Sequence, residues 1–195
     1  MRIGIFGGTF DPIHIGHLLV AEQAREAVGL DEVWFVPNAS PPHKDSPVSA
    51  AQHRVRMVEL AIDDHPCFRL SRVELDRPGP SYTVDTVKDL KNAHPLTHFF
   101  LIVGGDMVND LPRWYKIEEI LQVVRIVGLQ RPGVTVGNLP SYITNRLILV
   151  KDAVTVDLSS TEIRKRAAVG KSIRYLVPEK VRRYIEENRL YEMES

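Results

Sequence analysis

The sequence predicts an α/β fold: a doubly wound parallel sheet with helices on both faces and a helical C-terminal segment. Three observations lead there. Short apolar runs alternate with amphipathic stretches along most of the chain, the pattern of strands joined by crossover helices. The run His98-Phe99-Phe100-Leu101-Ile102-Val103 is apolar at nearly every position, as a strand covered on both faces must be. Glycine-rich and histidine-rich stretches follow such runs, at the strand ends where open sheets of this type bind ligands.

Taken in order, Arg2-Ile3-Gly4-Ile5-Phe6 reads as the first strand, followed by a glycine turn at Gly7-Gly8. Leu18, Ala21, Ala24 and Val28 then recur at helical spacing, and Gly29 closes that helix. Val33-Trp34-Phe35-Val36 reads as the second strand. The stretch from Pro37 to Pro47 carries four prolines and is expected to be an irregular loop over a site. A helix is expected around Ala50 to Ile62, then a short strand near Phe68 to Leu70. Thr83 opens another helix, with Val84, Val87 and Leu90 spaced to face the core. Beyond the strand at 98–103, Ile117, Ile120, Leu121 and Val124 mark a helix and Ile126-Val127-Gly128-Leu129 a strand. Leu147 to Val150 is the last strand of length. Two helices finish the chain, one from the Ser159-Ser160-Thr161 cap and one from Pro178 to about Asn188. No repeat, low-complexity tract or linker interrupts this order, so residues 1–195 are expected to form a single domain.

Composition narrows the function classes. Twenty-five Lys and Arg balance 25 Asp and Glu, so no bulk field is available to hold a nucleic acid. The basic stretch Arg164-Lys165-Arg166, with Lys171, Arg174, Lys180, Arg182 and Arg183, is interspersed with Glu179, Glu186 and Glu187 and reads as a solvated helical face. One cysteine, Cys67, excludes an internal disulfide and a four-thiolate zinc site, and no metal-ligating set is visible. No apolar run approaches the roughly 20 residues of a membrane span. No signal-peptide core is seen near the start, because Asp11 interrupts it, and a cytoplasmic protein is expected.

The chemistry concentrates in Gly7-Gly8-Thr9-Phe10-Asp11-Pro12-Ile13-His14-Ile15-Gly16-His17. A strand, glycines and then a helix N-terminus is the layout that turns backbone N–H groups toward a phosphate. The Gly8 to Phe10 backbone and the Thr9 hydroxyl can cradle phosphates. His14 and His17, three apart on one helical face, can donate to non-bridging oxygens. Near the other end, Ser159, Ser160 and Thr161 offer three hydroxyls where a cap needs one, with Arg164 a turn later. Hydroxyls, free N–H groups and a guanidinium together make an anion site. Asp106, after Gly104 and Gly105, suits a ribose hydroxyl or magnesium. Lys44 on the proline loop can reach a phosphate, and Arg131, just after a strand, is a weaker candidate for a phosphate or nucleotide contact.

The first box resembles the H-x-G-H signature of the nucleotidylyl transferase superfamily, and its fuller form resembles the bacterial nicotinate-nucleotide adenylyltransferases. Leu158-Ser159-Ser160-Thr161-Glu162-Ile163-Arg164 is similar to that family's second motif, I-S-S-T-x-I-R, with Leu in place of the leading Ile. Pro41-Pro42-His43-Lys44, Ser81-Tyr82-Thr83, Gly104-Gly105-Asp106 and Arg113-Trp114-Tyr115 stand between them in the family's order. The resemblance implies a Rossmann-like fold and adenylyl transfer from ATP to nicotinate mononucleotide, giving deamido-NAD and pyrophosphate. It implies His14, His17 and Arg164 as catalytic residues. Gly7, Gly8, Thr9, Phe10, Gly104, Asp106, Ser159, Ser160 and Thr161 would bind ATP, with Mg2+ held mainly by the phosphates and water. Lys44, Thr83, Trp114, Tyr115 and Arg131 would serve the nicotinate nucleotide. In the family an aromatic near 114 stacks on the pyridine ring, and a helix start such as Thr83 favours the carboxylate over a neutral amide. Homo-oligomers are the family's habit. Three alternatives stand beside this reading: a related transferase using nicotinamide mononucleotide, phosphopantetheine, or CTP with an alcohol phosphate; a nucleotide sensor without catalysis; and an aminoacyl-tRNA synthetase core, against which length counts.

Overall fold

The computed structural model describes residues 1–39, 48–130 and 136–192. In chain order the elements are β1 (Arg2–Gly8), α1 (Ile15–Val28), β2 (Glu32–Pro37), α2 (Ala51–Ile62), β3 (Phe68–Leu70), α3 (Thr83–Ala93), β4 (His98–Gly104) and α4 (Gly105–Val108). A 3-10 turn at Leu111–Arg113 leads to α5 (Ile117–Val123), β5 (Arg125–Leu129), α6 (Ser141–Thr144), β6 (Leu147–Val150), α7 (Ser160–Ala168) and α8 (Glu179–Glu187). The strands form one parallel sheet in the order β3-β2-β1-β4-β5-β6. Strand order reverses between β1 and β4, where two crossovers leave in opposite directions and open a crevice at the strand ends.

Alternation along each strand divides the core into two layers. Phe100 and Ile102 of β4 face one layer with Phe6, Val33, Phe35, Val127 and Leu129; there α1, α2, α7 and α8 cover the sheet through Ala21, Ala24, Met57, Val58, Ile163, Val181 and Ile185. Phe99, Leu101 and Val103 face the other layer with Ile3, Ile5 and Ile126, under α3, α5 and α6. This double covering explains the unbroken apolar run of β4. Each fully buried side chain of this size contributes about 1.5–3 kcal/mol, less what packing imperfections remove.

Local signals set the ends of the helices. Gly29 adopts φ 64°, and N–H groups of Gly29 and Leu30 return to the carbonyls of Glu26 and Arg25, at 3.2 and 2.9 Å. Ser159 caps α7, its hydroxyl accepting the Glu162 N–H at 3.2 Å. On α8, Arg182 pairs with Glu179 and Glu186, and Arg183 with Glu179, so that helix carries a salt-bridged face, as its charge alternation suggested. Among the described residues no helix is long and apolar enough to cross a membrane.

Two details differ from the sequence reading. Gly7 and Gly8 are not a turn: they pair with Val36 and Pro37 as the last residues of β1, and the chain turns only after them. Gly8 is required there by close approach, since a Cβ would meet the Phe10 ring at 2.8 Å. His14 is not in the helix but at its N-cap, with φ −144° and ψ 172°. Gly104 ends β4 and Gly105 opens α4, so the strand runs straight into that helix.

Candidate active site

A cleft of about 860 Å3 opens at the C-terminal ends of β1 and β4. Its walls are the stretch from Phe6 to Asp11, His14 and His17, Gly104, Gly105 and Met107, an irregular segment through Ala153 to Val156 and Leu158, and the start of α7 with Arg164. The structure thus gathers both sequence motifs, 150 residues apart, around one cavity.

The two imidazoles are stacked, with centroids 3.7 Å apart and planes 26° from parallel. Because His14 sits at the N-cap, its own N–H is spare, and it donates to His17 Nδ1 at 3.2 Å. Neutral His17 therefore carries its proton on Nε2. Its ring stands edge-on against Phe10, 5.1 Å away, which holds its orientation. His14 is only 5 % exposed, and burial pushes its pKa down to about 4. At neutral pH it is an uncharged imidazole with one N–H to donate. Its buried Nδ1 has no hydrogen-bond partner among the described residues.

The stretch 9–12 beneath the histidines is held from five directions. Asn38 Nδ2 donates to the Thr9 hydroxyl at 3.2 Å, and Arg54 Nη1 donates to the Thr9 carbonyl at 2.8 Å. Arg164 Nη1 donates to the Asp11 carbonyl at 2.8 Å, and the Ser160 hydroxyl donates to the Pro12 carbonyl at 2.8 Å. The Asp11 carboxylate, 3 % exposed, accepts the N–H groups of Val48 and Ser49 on Oδ2 and the Tyr191 hydroxyl on Oδ1. Phe10 adopts φ 50°, a conformation an L-residue holds only when its surroundings impose it. Arg54 is 1 % exposed; burial lowers its pKa while Asp11 and Tyr191 raise it. A guanidinium under the floor of an anion site adds positive potential without itself touching a ligand.

Arg164 also approaches the Thr161 hydroxyl at 3.4 Å, so the start of α7 and the β1 loop share it. The three hydroxyls of the cap divide their work: Ser159 caps the helix, Ser160 ties down Pro12, and Thr161 sits beside Arg164. Ser160 thus faces a carbonyl with its proton, a use the sequence did not indicate.

Of the residues expected to serve the second substrate, three are described, and they stand apart from the cleft. Thr83, Trp114 and Tyr115 do not line the cleft among its described walls. Tyr82 and Tyr115 pack at 4.8 Å, joining the start of α3 to the turn after Arg113. Trp114 packs against the core of that layer, whereas Tyr115 is 53 % exposed with Lys116 over its ring. Beneath the start of α3, Glu74 is buried, accepts the Thr86 hydroxyl at 2.7 Å and bonds Ser81, and burial raises its pKa. Ser81 in turn accepts the Ala39 N–H. Lys44 and Arg131 lie outside the described residues, as does the side chain of Asp106, whose backbone is in α4.

Sequence reasoning passed over Asp11, Asn38, Arg54, Glu74 and Tyr191 as functional residues. Asp11 and Asn38 stand beside recognised motifs; Arg54 and Tyr191 carried no local signal. Chemically the cleft offers amides, two imidazoles, hydroxyls and a guanidinium, the donor set for a polyphosphate. Among the described residues no group of three His, Cys, Asp or Glu could hold a metal.

The sequence matches the cytidylyltransferase-like family over residues 5–166. A probable nicotinate-nucleotide adenylyltransferase of Bacillus pumilus is 50% identical over 192 residues, covering 98% of each chain. The nicotinate-nucleotide adenylyltransferase of Bacillus subtilis is 47% identical over 192 residues, again with 98% of each chain covered. Among solved structures, Plasmodium falciparum nicotinic acid mononucleotide adenylyltransferase complexed with NaAD matches the fold with a TM-score of 0.80 at 22% identity, over 97% of both chains.

Proposed function

The chain belongs to the cytidylyltransferase-like family and, within it, to the nicotinate-nucleotide adenylyltransferases, and from that premise we propose how its cleft transfers an adenylyl group from ATP to nicotinate mononucleotide. An oxygen of the mononucleotide phosphate attacks the α-phosphorus of ATP, a new P–O bond forms, and the bond to the β-phosphate oxygen breaks. The products are deamido-NAD and pyrophosphate, a step of NAD synthesis. A phosphate monoester is already ionised at pH 7, so the reaction asks for positioning and charge stabilisation rather than a strong base.

In this reading the backbone from Gly7 to Phe10 and the Thr9 hydroxyl bind phosphate oxygens. His17 donates from Nε2, and His14 donates as a neutral imidazole. Arg164, with Thr161 and the amides at the start of α7, takes the departing pyrophosphate. Gly104 and Asp106 serve the ATP nucleoside. Lys44, Thr83, Trp114, Tyr115 and Arg131 serve the nicotinate nucleotide. Mg2+, when bound to the ATP phosphates, neutralises charge on them. The observation that carries the reading is the convergence of His14, His17 and Arg164 on one cleft whose floor is held by hydrogen bonds. A cytoplasmic homo-oligomer is part of the same reading, and light scattering tests the assembly.

The test is pyrophosphate release from ATP and magnesium with nicotinate mononucleotide, nicotinamide mononucleotide and phosphopantetheine offered separately, beside His17→Ala. Turnover with the nicotinate compound, weak with its amide and collapsed in the variant, supports the reading. Turnover with phosphopantetheine alone moves the chain elsewhere in its superfamily, and ATP binding with no turnover favours a sensor.

A further inference from the structure

We propose that Tyr191, outside residues 5–166 that match the cytidylyltransferase-like model, is a positioning residue of the phosphate site that acts through Asp11 on Arg164. The inference rests on the adenylyltransferase reading and extends it to a part of the chain that no motif covers. The cytidylyltransferase-like match ends at residue 166, and Tyr191 lies past the end of α8. Its hydroxyl nevertheless donates to Asp11 Oδ1 at 2.7 Å, across 180 residues of sequence.

Asp11 is gripped on both of its chemical handles. Its carboxylate is fixed by Tyr191 on one oxygen and by the N–H groups of Val48 and Ser49, at 2.8 and 3.1 Å, on the other. Its backbone carbonyl accepts Arg164 Nη1 at 2.8 Å. Tyr191 and the two N–H groups thus anchor the loop at the residue whose carbonyl is the guanidinium's acceptor, and loss of an anchor loosens that acceptor. Arg164 lines the cleft, so an error in its place is an error at the phosphates.

Backbone geometry points the same way. Arg189 and Tyr191 adopt φ 50° and 70°, and Phe10, the neighbour of Asp11, adopts 50°. Three non-glycine residues thus hold the left-handed region at the two ends of one hydrogen-bonded link. Each costs free energy that the surrounding contacts must offset. After α8 the chain bends back on itself, and that bend carries the phenol to Asp11. Tyr191 is mostly buried at this point, and Met57 Sδ lies 3.9 Å from its oxygen. Burial, with the Asp11 carboxylate next in weight, pushes its pKa upward, so it remains a proton donor throughout the working pH range.

The experiment is steady-state kinetics of Tyr191→Phe on the full chain, with ATP, magnesium and nicotinate mononucleotide. The variant keeps the ring and removes one oxygen. A misplaced cleft cation is expected to lower kcat by about ten- to a hundredfold while both KM values stay within about twofold. Ile185→Val, a packing loss on α8 that touches nothing in the cleft, is the control and is expected to leave kcat unchanged. In an Arg164→Lys background Tyr191→Phe is expected to cost under about twofold, since the group it positions is gone. Asp11→Glu, which keeps the charge but lengthens the arm, is the second variant should Tyr191→Phe fail to fold, and is expected to show the same loss confined to kcat. Full kcat in either variant, or additive losses with Arg164→Lys, overturns the proposal and leaves the adenylyltransferase reading standing. A wild-type chain silent with nicotinate mononucleotide sinks both.

Discussion

Lowering the pH from 7 to 4.5 is expected to weaken the fold through His14, and the size of the effect follows from its burial. The imidazole is held near a pKa of about 4 because its charged form would sit in a desolvated pocket. In the unfolded chain the same group titrates at its ordinary value of 6.5. Between those values the unfolded state binds a proton that the native state refuses, so stability falls as pH falls through this window and levels off below it. At about 1.4 kcal/mol per pH unit, the full window is worth about 3 kcal/mol, a large share of a domain's stability. Urea unfolding at pH 7, 6, 5 and 4.5 measures it, with His14→Asn as the reference that keeps a short polar cap and does not titrate. The wild type is expected to lose about 2–3 kcal/mol more than the variant over that range. Parallel pH curves for the two proteins would refute the reasoning, because His14 would then be hydrated enough to protonate in place.

Arg54→Ala removes a buried guanidinium, leaves the Thr9 carbonyl without its donor and strips a compensating charge from beside Asp11. A loss of about 3–5 kcal/mol in chemical denaturation is expected. Glu74→Gln tests the opposite pH slope. Burial raises the Glu74 pKa, so the wild type loses stability as pH rises through the folded value, and the variant should gain relative to it between pH 5 and pH 8 in paired urea melts. Gln23 holds the segment that walls the cleft at Ala153 to Leu158, exchanging hydrogen bonds of 2.9 and 2.6 Å with the peptide groups of Val154. At about 0.5–1.5 kcal/mol per bond, Gln23→Met is expected to raise the KM for ATP by about tenfold at unchanged kcat, read from ATP titrations at saturating mononucleotide.

The fold was legible because its signals are local and repeated. The doubly apolar run of β4, the helical spacing of Ala21, Ala24 and Val28, and the glycine stop at Gly29 each report on the few residues around them. The motifs could be placed for the same reason, since Gly7 to His17 and Leu158 to Arg164 are contiguous. What stayed hidden is what depends on a partner far along the chain. Arg54 looks like any arginine on an amphipathic helix, and only the packing of α2 under the β1 loop buries it. The link from Tyr191 to Asp11 spans 180 residues, and no spacing rule reaches that far. Local reading also erred where two local preferences compete. Gly7-Gly8 has turn chemistry, but pairing with β2 keeps it extended. His14 and His17 have the spacing of one helical face, yet one is the cap and the other its acceptor, and that difference is what brings the rings together.

The central claim is that the cleft directs attack to the α-phosphorus of ATP by the phosphate of nicotinate mononucleotide. Phosphorus NMR of the wild-type reaction with ATP, magnesium and that mononucleotide tests it most directly. The account requires equal amounts of free pyrophosphate and a new dinucleotide diphosphate signal, with no ADP. Accumulation of ADP, or of AMP and pyrophosphate without the dinucleotide, would contradict it, because attack would then fall on another phosphorus or come from water.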